Sequence, residues 1–194
     1  MVKQSSKLHL GCGFTILPDW INVDCVANPG VDLVFDLNNC DKESLPLEDN
    51  SIERIMAVHL IEHISKPLPL MQELYRVAKP DAEMICYVPY GASDDAFEDP
   101  THIRPYFLNS FSYFSQPYYW RANYGYTGDW KPETIRLKIS SAKYSGKLVQ
   151  DIMADIMNLR NIVSEMCVVM RAIKPAREPK RELQVRPNIL FDFI

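Results

Sequence analysis

The sequence of 194 residues lacks any apolar run long enough to cross a membrane, and it has no excess of basic charge. Its N-terminus passes from polar residues into a short apolar run that His9 interrupts, which is too brief for a signal peptide. The formal net charge of −4 gives no electrostatic reason to expect a nucleic-acid partner. We therefore expect a cytoplasmic protein with no membrane span and no bound nucleic acid.

Cysteine pairs are also missing. The five cysteines are odd in number, and no two of them form a CxxC pair. A disulfide framework and a four-cysteine zinc site therefore lack support, and we expect reduced thiols that pack as small apolar groups. The one basic stretch, residues 171–186, is interpreted as a solvated surface segment rather than a site for a polyanion.

What is present is the composition of an average globular domain, with 47% hydrophobic and 24% charged residues and no internal repeat. The length fits one domain, which we place at residues 1–174. Residues 175–194 form a charged, Pro-rich tail that ends in apolar residues. The sequence leaves open whether this end docks on the body or on a partner.

The first 89 residues alternate short apolar runs with polar connectors, the pattern of strands and crossovers in a parallel sheet. The runs predict strands at Lys7–Leu10, Trp20–Asp24, Leu33–Phe35, Ile52–Val58 and Glu83–Val88. An apolar stripe from Leu70 to Ala78 predicts one crossover helix. Later patterns predict a strand over 135–141, an amphipathic helix over 148–157 and a buried strand over 165–173.

The segment between these two parts has a different amino-acid composition. Residues 90–130 hold 13 of the 21 aromatic residues. This density favours a lid or a pocket wall, and we interpret residues 90–134 as a cap insertion on the substrate side. The alternative is a satellite apolar cluster under a long connection.

Chemistry-bearing residues follow three of the predicted strands. Gly11-Cys12-Gly13 ends the first strand, where glycines let the backbone turn tightly and approach a ligand. Asp24 ends the second strand, where a carboxylate can accept hydrogen bonds from ribose hydroxyls. Asp36 and Leu37 follow the third strand and suit the edge and face of an adenine ring.

These motifs together resemble the class I S-adenosylmethionine-dependent methyltransferases, especially the small bacterial type related to the ubiquinone and menaquinone methyltransferases. The resemblance spans residues 7–103 and is carried by HLGCG, INVD, FDL, LPLEDNSIERI, HLIEHI, LYRVAKP and YVP. It implies a Rossmann-like, doubly wound α/β fold with a mostly parallel sheet of seven strands, the last one antiparallel. It also implies S-adenosylmethionine as cofactor.

The resemblance carries over to individual positions. The cofactor-binding residues it implies are His9, Gly11, Cys12, Gly13, Asp24, Cys25, Asp36, Leu37, Val58 and His59. His9 stands where these enzymes often carry an acidic residue. The segment from Phe14 to Asp19 is shorter than their usual first helix.

The acceptor side is expected just beyond the fifth strand, in the segment from Glu98 to Tyr106. His102, Asp99 and His59 are the candidate catalytic residues, because an oxygen acceptor must lose a proton near the transition state. For His102 the alternative is a loop residue with a structural hydrogen bond. We expect methyl transfer to a small-molecule or glycan acceptor, with O-methylation favoured. The oligomeric state is open, and a homodimer is one of the states that the sequence allows.

Three rival interpretations remain. A module that binds the cofactor without turnover is one. The segment His59-Leu60-Ile61-Glu62-His63 also matches the HxxEH pattern of zinc peptidases, although Pro67 interrupts the long helix that such a site needs. We expect no metal there. Binding of NAD is the weakest rival, because Ile16 stands where the third glycine of GxGxxG belongs.

Overall fold

The computed structural model describes residues 4–122 and 124–194. Eight strands form one sheet in the order β3-β2-β1-β4-β5-β7-β6-β8. Their bounds are β1 Lys7–Leu10, β2 Ile21–Asp24, β3 Leu33–Val34, β4 Ile52–Val58, β5 Ala78–Pro89, β6 Trp130–Ile139, β7 Val163–Ala172 and β8 Asn188–Phe193.

Within the described ranges, four α-helices accompany the sheet. They are α1 Pro67–Val77, α2 Asp95–Glu98, α3 Ser141–Tyr144 and α4 Val149–Asn158. Short 3₁₀ helices lie at Leu37–Asn39, Ile61–His63, Ser110–Phe114, Gln116–Tyr119 and Arg181–Leu183. Within the described residues, the connections from β1 to β2 and from β2 to β3 contain no α-helix. The short segment from Phe14 to Asp19 indeed crosses from β1 to β2 without one.

The parallel half of the sheet is built from the predicted apolar runs. Leu8 and Leu10 of β1 are fully buried, as are Met84 and Cys86 of β5. Helix α1 buries Leu70, Met71 and Leu74 of the predicted stripe against this core, together with Val77. Pro67 starts the helix, where its missing N–H costs no hydrogen bond.

The predicted fold class is confirmed with one correction. Strand β7 is antiparallel to both of its neighbours, β5 and β6, as the resemblance implies for the seventh strand. The count of seven strands is wrong, because residues 188–193 add β8 parallel to β6 at the edge of the sheet. The Pro-rich and charged composition of the preceding residues conceals this strand.

The C-terminal segment thus docks on the body of the protein. In the basic stretch 171–186, Arg171 at the end of β7 contacts Glu83 and Glu133, and Arg177 contacts Asp129. Asp129 is fully buried and its carboxylate accepts five hydrogen bonds, from the Arg177 backbone N–H, the Arg177 guanidinium, the Ser115 hydroxyl and the Gln116 N–H. This cluster links residues 90–130, which we call the aromatic segment, to the chain that follows β7.

Among the residues that the structure describes, no helix combines the length and the apolar character needed to span a bilayer.

Candidate functional site

The strand order places the switch point of the sheet between β1 and β4, and parallel sheets bind ligands in the crevice at that point. A crevice of about 130 Å³ opens there at the carboxyl ends of the strands. Its walls are Gly11, Asp24, Cys25, Phe35, Asp36, Leu37, Asn38, Leu60, His63 and Ile64. The ends of β1, β2, β3 and β4 therefore converge on one concave site.

The turn after β1 contains two glycines whose backbone conformations other residues rarely adopt. Gly11 and Gly13 have positive φ angles of 61° and 51°. Asp24 lies beside this turn, where one carboxylate oxygen accepts a 2.8 Å hydrogen bond from the Gly13 N–H and the other accepts from the Val26 N–H at 2.9 Å. The carboxylate at the tip of β2 thus fixes the shape of the glycine turn.

The two glycines differ in their surroundings. A Cβ atom on Gly11 would lie 2.8 Å from the Leu60 Cδ1, so only glycine leaves room there for the segment after β4. A Cβ atom on Gly13 would meet nothing within 4 Å. The Gly13 side of the turn therefore faces open space, and the backbone there is accessible to a ligand.

The third wall of the crevice is held by side-chain hydrogen bonds. Asp36 caps the 3₁₀ helix Leu37–Asn39 by accepting from the Asn38 N–H at 2.9 Å. The Asn38 side-chain oxygen accepts from the N–H and the hydroxyl of Ser65 at 2.9 and 2.8 Å. The tip of β3 is thereby joined to the segment that follows β4.

Four other predicted cofactor residues lie in or just after strands β1, β2 and β4. Cys12 is buried, and its N–H donates to the Val23 carbonyl at 3.0 Å. Cys25 lines the crevice, whereas Val58 is partly exposed at the end of β4. His9 is buried in β1, with its Nδ1 3.2 Å from the Asn22 side-chain oxygen. His9 does not line the crevice in the structure.

Burial lowers the pKa of His9, against a smaller opposing effect of Asn22. The unfolded chain then binds a proton more readily than the folded chain, so stability falls as the pH drops below about 6.5. We expect the free energy of unfolding of the wild type to decline more steeply between pH 7 and pH 5 than that of His9→Asn. Urea unfolding at a series of pH values measures both slopes, and equal slopes would contradict the assignment.

His59 occupies the turn after β4 with a positive φ angle of 49°. Its Nε2 lies 2.9 Å from Glu165 and its Nδ1 lies 3.4 Å from Glu62. Glu62 raises the pKa of His59, against the effect of partial burial, and Glu165 raises it further. Both ring nitrogens face carboxylates, which favours the protonated form of this imidazole.

His102 and Asp99 lie in the first part of the aromatic segment, after helix α2. The His102 side chain is only 7% exposed, and its Nε2 is 3.8 Å from the Asp99 carboxylate. Asp99 accepts hydrogen bonds from the Thr101 hydroxyl and N–H, and these lower its pKa. The His102 ring packs edge-on against the ring of His63, with the centroids 4.8 Å apart.

The HxxEH segment does not form the two-histidine pair of a zinc peptidase. Only Ile61–His63 of the segment is helical, and that part is a 3₁₀ helix. His59 turns toward Glu165, while the His63 Nδ1 donates to Thr101. His63 lines the crevice, a position that the sequence did not indicate, because its contact with Thr101 joins residues far apart in the chain.

A larger cavity of about 720 Å³ adjoins this region. Helix α1 contributes Pro67 and Leu68, close behind the crevice-lining Ile64. Seven aromatic side chains and one cation dominate the rest of the lining: Tyr90, Tyr106, Phe107, Tyr113, Phe114, Tyr119, Tyr124 and Arg104. The volume is that of a pocket for a drug-sized ligand.

Residues 8–86 match the model of a family described as a methyltransferase domain. The matched range covers β1 to β4, α1 and most of β5, and thus the whole crevice. Comparison with curated protein sequences gives no match.

Solved structures provide the second comparison. The fold is similar to an S-adenosylmethionine-dependent methyltransferase from Archaeoglobus fulgidus, with a TM-score of 0.52 and 18% identity over 85% of each chain. A methyltransferase from Thermotoga maritima, described as a possible histamine N-methyltransferase, gives a TM-score of 0.52 at 14% identity over 90% of this chain and 84% of that one. The YcgJ protein from Bacillus subtilis gives 0.51 at 15% identity over 89% and 94%. At these identities the solved structures support the fold alone.

Proposed function

We propose that the chain is a class I S-adenosylmethionine-dependent methyltransferase, which its match to a methyltransferase domain over residues 8–86 and its fold support, and that it methylates a hydroxyl oxygen of a small-molecule or saccharide acceptor. The cofactor of the family is S-adenosylmethionine. The observation that carries the proposal is that two spaces are joined: the Tyr106 hydroxyl and the Arg104 N–H of the aromatic cavity donate to the carbonyls of Ile61 and Glu62, in the segment that lines the crevice.

In this proposal the crevice binds the adenosyl part of the cofactor. Asp24 accepts hydrogen bonds from the ribose hydroxyls, Asp36 and Leu37 contact the adenine, and the backbone of the glycine turn contacts the methionine part. The chemistry of the walls supports this assignment, since carboxylates at the tips of β2 and β3 face an open glycine backbone. Residues 90–134 then form the cap on the acceptor side.

We assign the acceptor to the aromatic cavity. Aromatic rings pack against apolar molecules and against the faces of sugars, while the tyrosine hydroxyls provide hydrogen bonds for polar groups. Among the described residues of the lining, Arg104 alone carries a charged side chain. A neutral or anionic small molecule with at least one free hydroxyl group fits this chemistry.

The reaction is an in-line displacement. A lone pair of the acceptor oxygen forms the C–O bond, the C–S bond breaks with its electron pair going to sulfur, and the hydroxyl proton leaves. His102 and Asp99 lie beside the crevice-lining His63, whereas His59 is held by Glu165. We therefore propose that the reacting hydroxyl points toward the polar group of His63, Asp99 and His102, and that its proton leaves there.

The reducing interior of the cell suits this protein, since all five cysteines are free thiols. We keep the cytoplasm as the proposed location.

Filling the cavity tests the acceptor assignment. We expect Asn109→Trp, at an exposed position of the cavity wall, to lower kcat/KM for the acceptor roughly 10-fold by steric exclusion, with an unchanged Kd for S-adenosylmethionine. The acceptor is first found by transfer of radiolabelled methyl groups to a panel of glycosides, phenols and amines. Asn188→Trp, on the exposed edge strand, is the matched control. Equal loss in both variants, or methylation of nitrogen compounds alone, would contradict the proposal.

A further inference from the structure

Glu62, His63 and His102 bring one carboxylate and two imidazoles together between the crevice and the cavity. One ligand atom of each residue lies within 4.8 Å of the others. We propose that these three side chains bind a divalent transition-metal ion, Zn²⁺ or Mn²⁺, which holds the acceptor oxygen. One carboxylate and two imidazoles are a ligand set that such ions use with further positions left open.

Glu62 is the first support for the site. The residue is 2% exposed, and neither of its carboxylate oxygens has a hydrogen-bond partner within the described residues. His59 faces one of these oxygens at 3.4 Å, and the other has no partner of opposite charge. The second of the two buried oxygens therefore has no partner within the described residues, which is unfavourable for a carboxylate unless a cation binds it.

The two histidines have the arrangement of metal ligands with supporting partners. The Thr101 hydroxyl donates to Asp99, so its oxygen accepts from the His63 Nδ1–H at 3.0 Å, and the Thr101 carbonyl accepts from the same group at 3.2 Å. This tautomer leaves a lone pair on the Nε2 of His63. In His102 the Nε2 faces Asp99 at 3.8 Å, and the buried Nδ1 has no partner. The His63 ring is thus fixed through one nitrogen by Thr101, the His102 ring faces Asp99 with one nitrogen, and each ring keeps its other nitrogen available to a cation.

The position of the three ligands indicates what the ion would do. His63 lines the crevice, and Arg104, two residues after His102, lines the cavity. The N–H groups of Ile103 and Arg104 donate to the Glu62 carbonyl and hold the two segments together. An ion at this point would contact an acceptor in the cavity and face the methyl group of a cofactor in the crevice.

This role rests on the proposed function. The hydroxyl oxygen of the acceptor binds to the ion, which lowers the pKa of that hydroxyl, as Zn²⁺ lowers that of water to about 7. The proton passes by way of the exposed Asp99 carboxylate to solvent, the oxygen lone pair forms the C–O bond, and the electron pair of the broken C–S bond stays on sulfur. His102 then acts as a ligand and not as the proton acceptor, because a lone pair bound to a metal takes up no proton.

Metal binding is measured on the full chain without cofactor or acceptor. The protein is stripped with EDTA, desalted and titrated by calorimetry with Zn²⁺ and with Mn²⁺, and the bound metal is counted by elemental analysis. We expect one equivalent of at least one of the two ions in the wild type. We expect Glu62→Gln, which keeps the shape of the side chain, and His102→Ala to weaken binding roughly 100-fold or more.

Two variants serve as controls. Glu98→Gln removes a nearby exposed carboxylate and should leave metal affinity unchanged. His59→Gln separates this site from the HxxEH pattern, which would need His59 as a ligand, and it should also retain the metal. Circular dichroism checks the fold of each variant. The visible absorption of Co²⁺ bound to the wild type tests the site without any substitution.

The inference is overturned if the wild type binds no stoichiometric metal, if Glu62→Gln and His102→Ala bind it as tightly as the wild type, or if only His59→Gln loses it. Methyl transfer at full rate in EDTA would overturn the role of the ion and leave the proposed function intact. Metal binding by a chain that methylates no hydroxyl compound would overturn the proposed function and leave the site intact.

Discussion

Replacement of Asp129 by alanine should lower the free energy of unfolding by about 3–5 kcal/mol. The carboxylate is fully buried and accepts hydrogen bonds from Arg177, Ser115 and the Gln116 N–H. Its removal leaves the guanidinium of Arg177, whose side chain is 21% exposed, without its anion, and it leaves three further donors without this acceptor: the Ser115 hydroxyl and the backbone N–H groups of Gln116 and Arg177. Urea unfolding followed by circular dichroism measures the loss.

A matched control is available at the edge of the sheet. Asp192 of β8 pairs with Arg136 of β6 in an exposed ion pair, so Asp192→Ala should change stability far less. The double variant Asp129→Ala/Arg177→Ala should be less destabilised than the sum of the two single variants. Strict additivity, or equal losses from Asp129→Ala and Asp192→Ala, would show that the buried pair contributes no more to the free energy of unfolding than an exposed one.

Replacement of Asp24 by alanine should weaken the binding of S-adenosylmethionine by about 1–3 kcal/mol, roughly 5- to 150-fold in Kd. The loss has two sources. The ribose hydroxyls lose a charged acceptor, and the Gly13 N–H, which donates to Asp24 at 2.8 Å, loses the partner that fixes the glycine turn. Isothermal titration calorimetry with the cofactor measures the change.

Asp41→Ala is the control for Asp24→Ala. Asp41 is a carboxylate in the same half of the sheet that pairs with Lys66 and does not line the crevice. Its loss should leave the Kd of the cofactor unchanged. A folded Asp24→Ala protein with wild-type affinity would remove the main support for the ribose assignment.

The sequence predicts most of the parallel sheet because local patterns determine it. Strands β1 and β4 have the predicted bounds, and α1 buries most of the predicted stripe. Strand β5 is longer than predicted and starts at Ala78. Pro80 and the positive φ of Asp81 belong to a turn-like sequence, yet Ala78 pairs with Ile52 before the register shifts. Such pairing depends on residues far apart in the chain, which periodicity does not detect.

The walls of the crevice could likewise be predicted only in part. The tips of β1, β2 and β3 could be predicted to meet, because parallel strands end at one edge of the sheet. The positions of His63 and Glu62 could not be predicted. Glu62 is charged, and nothing in the sequence indicates that it is buried; Thr101 reaches His63 only through the path of the loop after β5. Whether the predicted residues bind the cofactor stays a prediction that the Asp24 variant tests.

The carboxylate of Asp129 also determines how two distant amides exchange with solvent. It accepts amide hydrogens from Gln116, in the aromatic segment, and from Arg177, beyond the last antiparallel strand. Neither amide exchanges while its contact with Asp129 holds, so both should exchange slowly in the wild type and faster in Asp129→Ala.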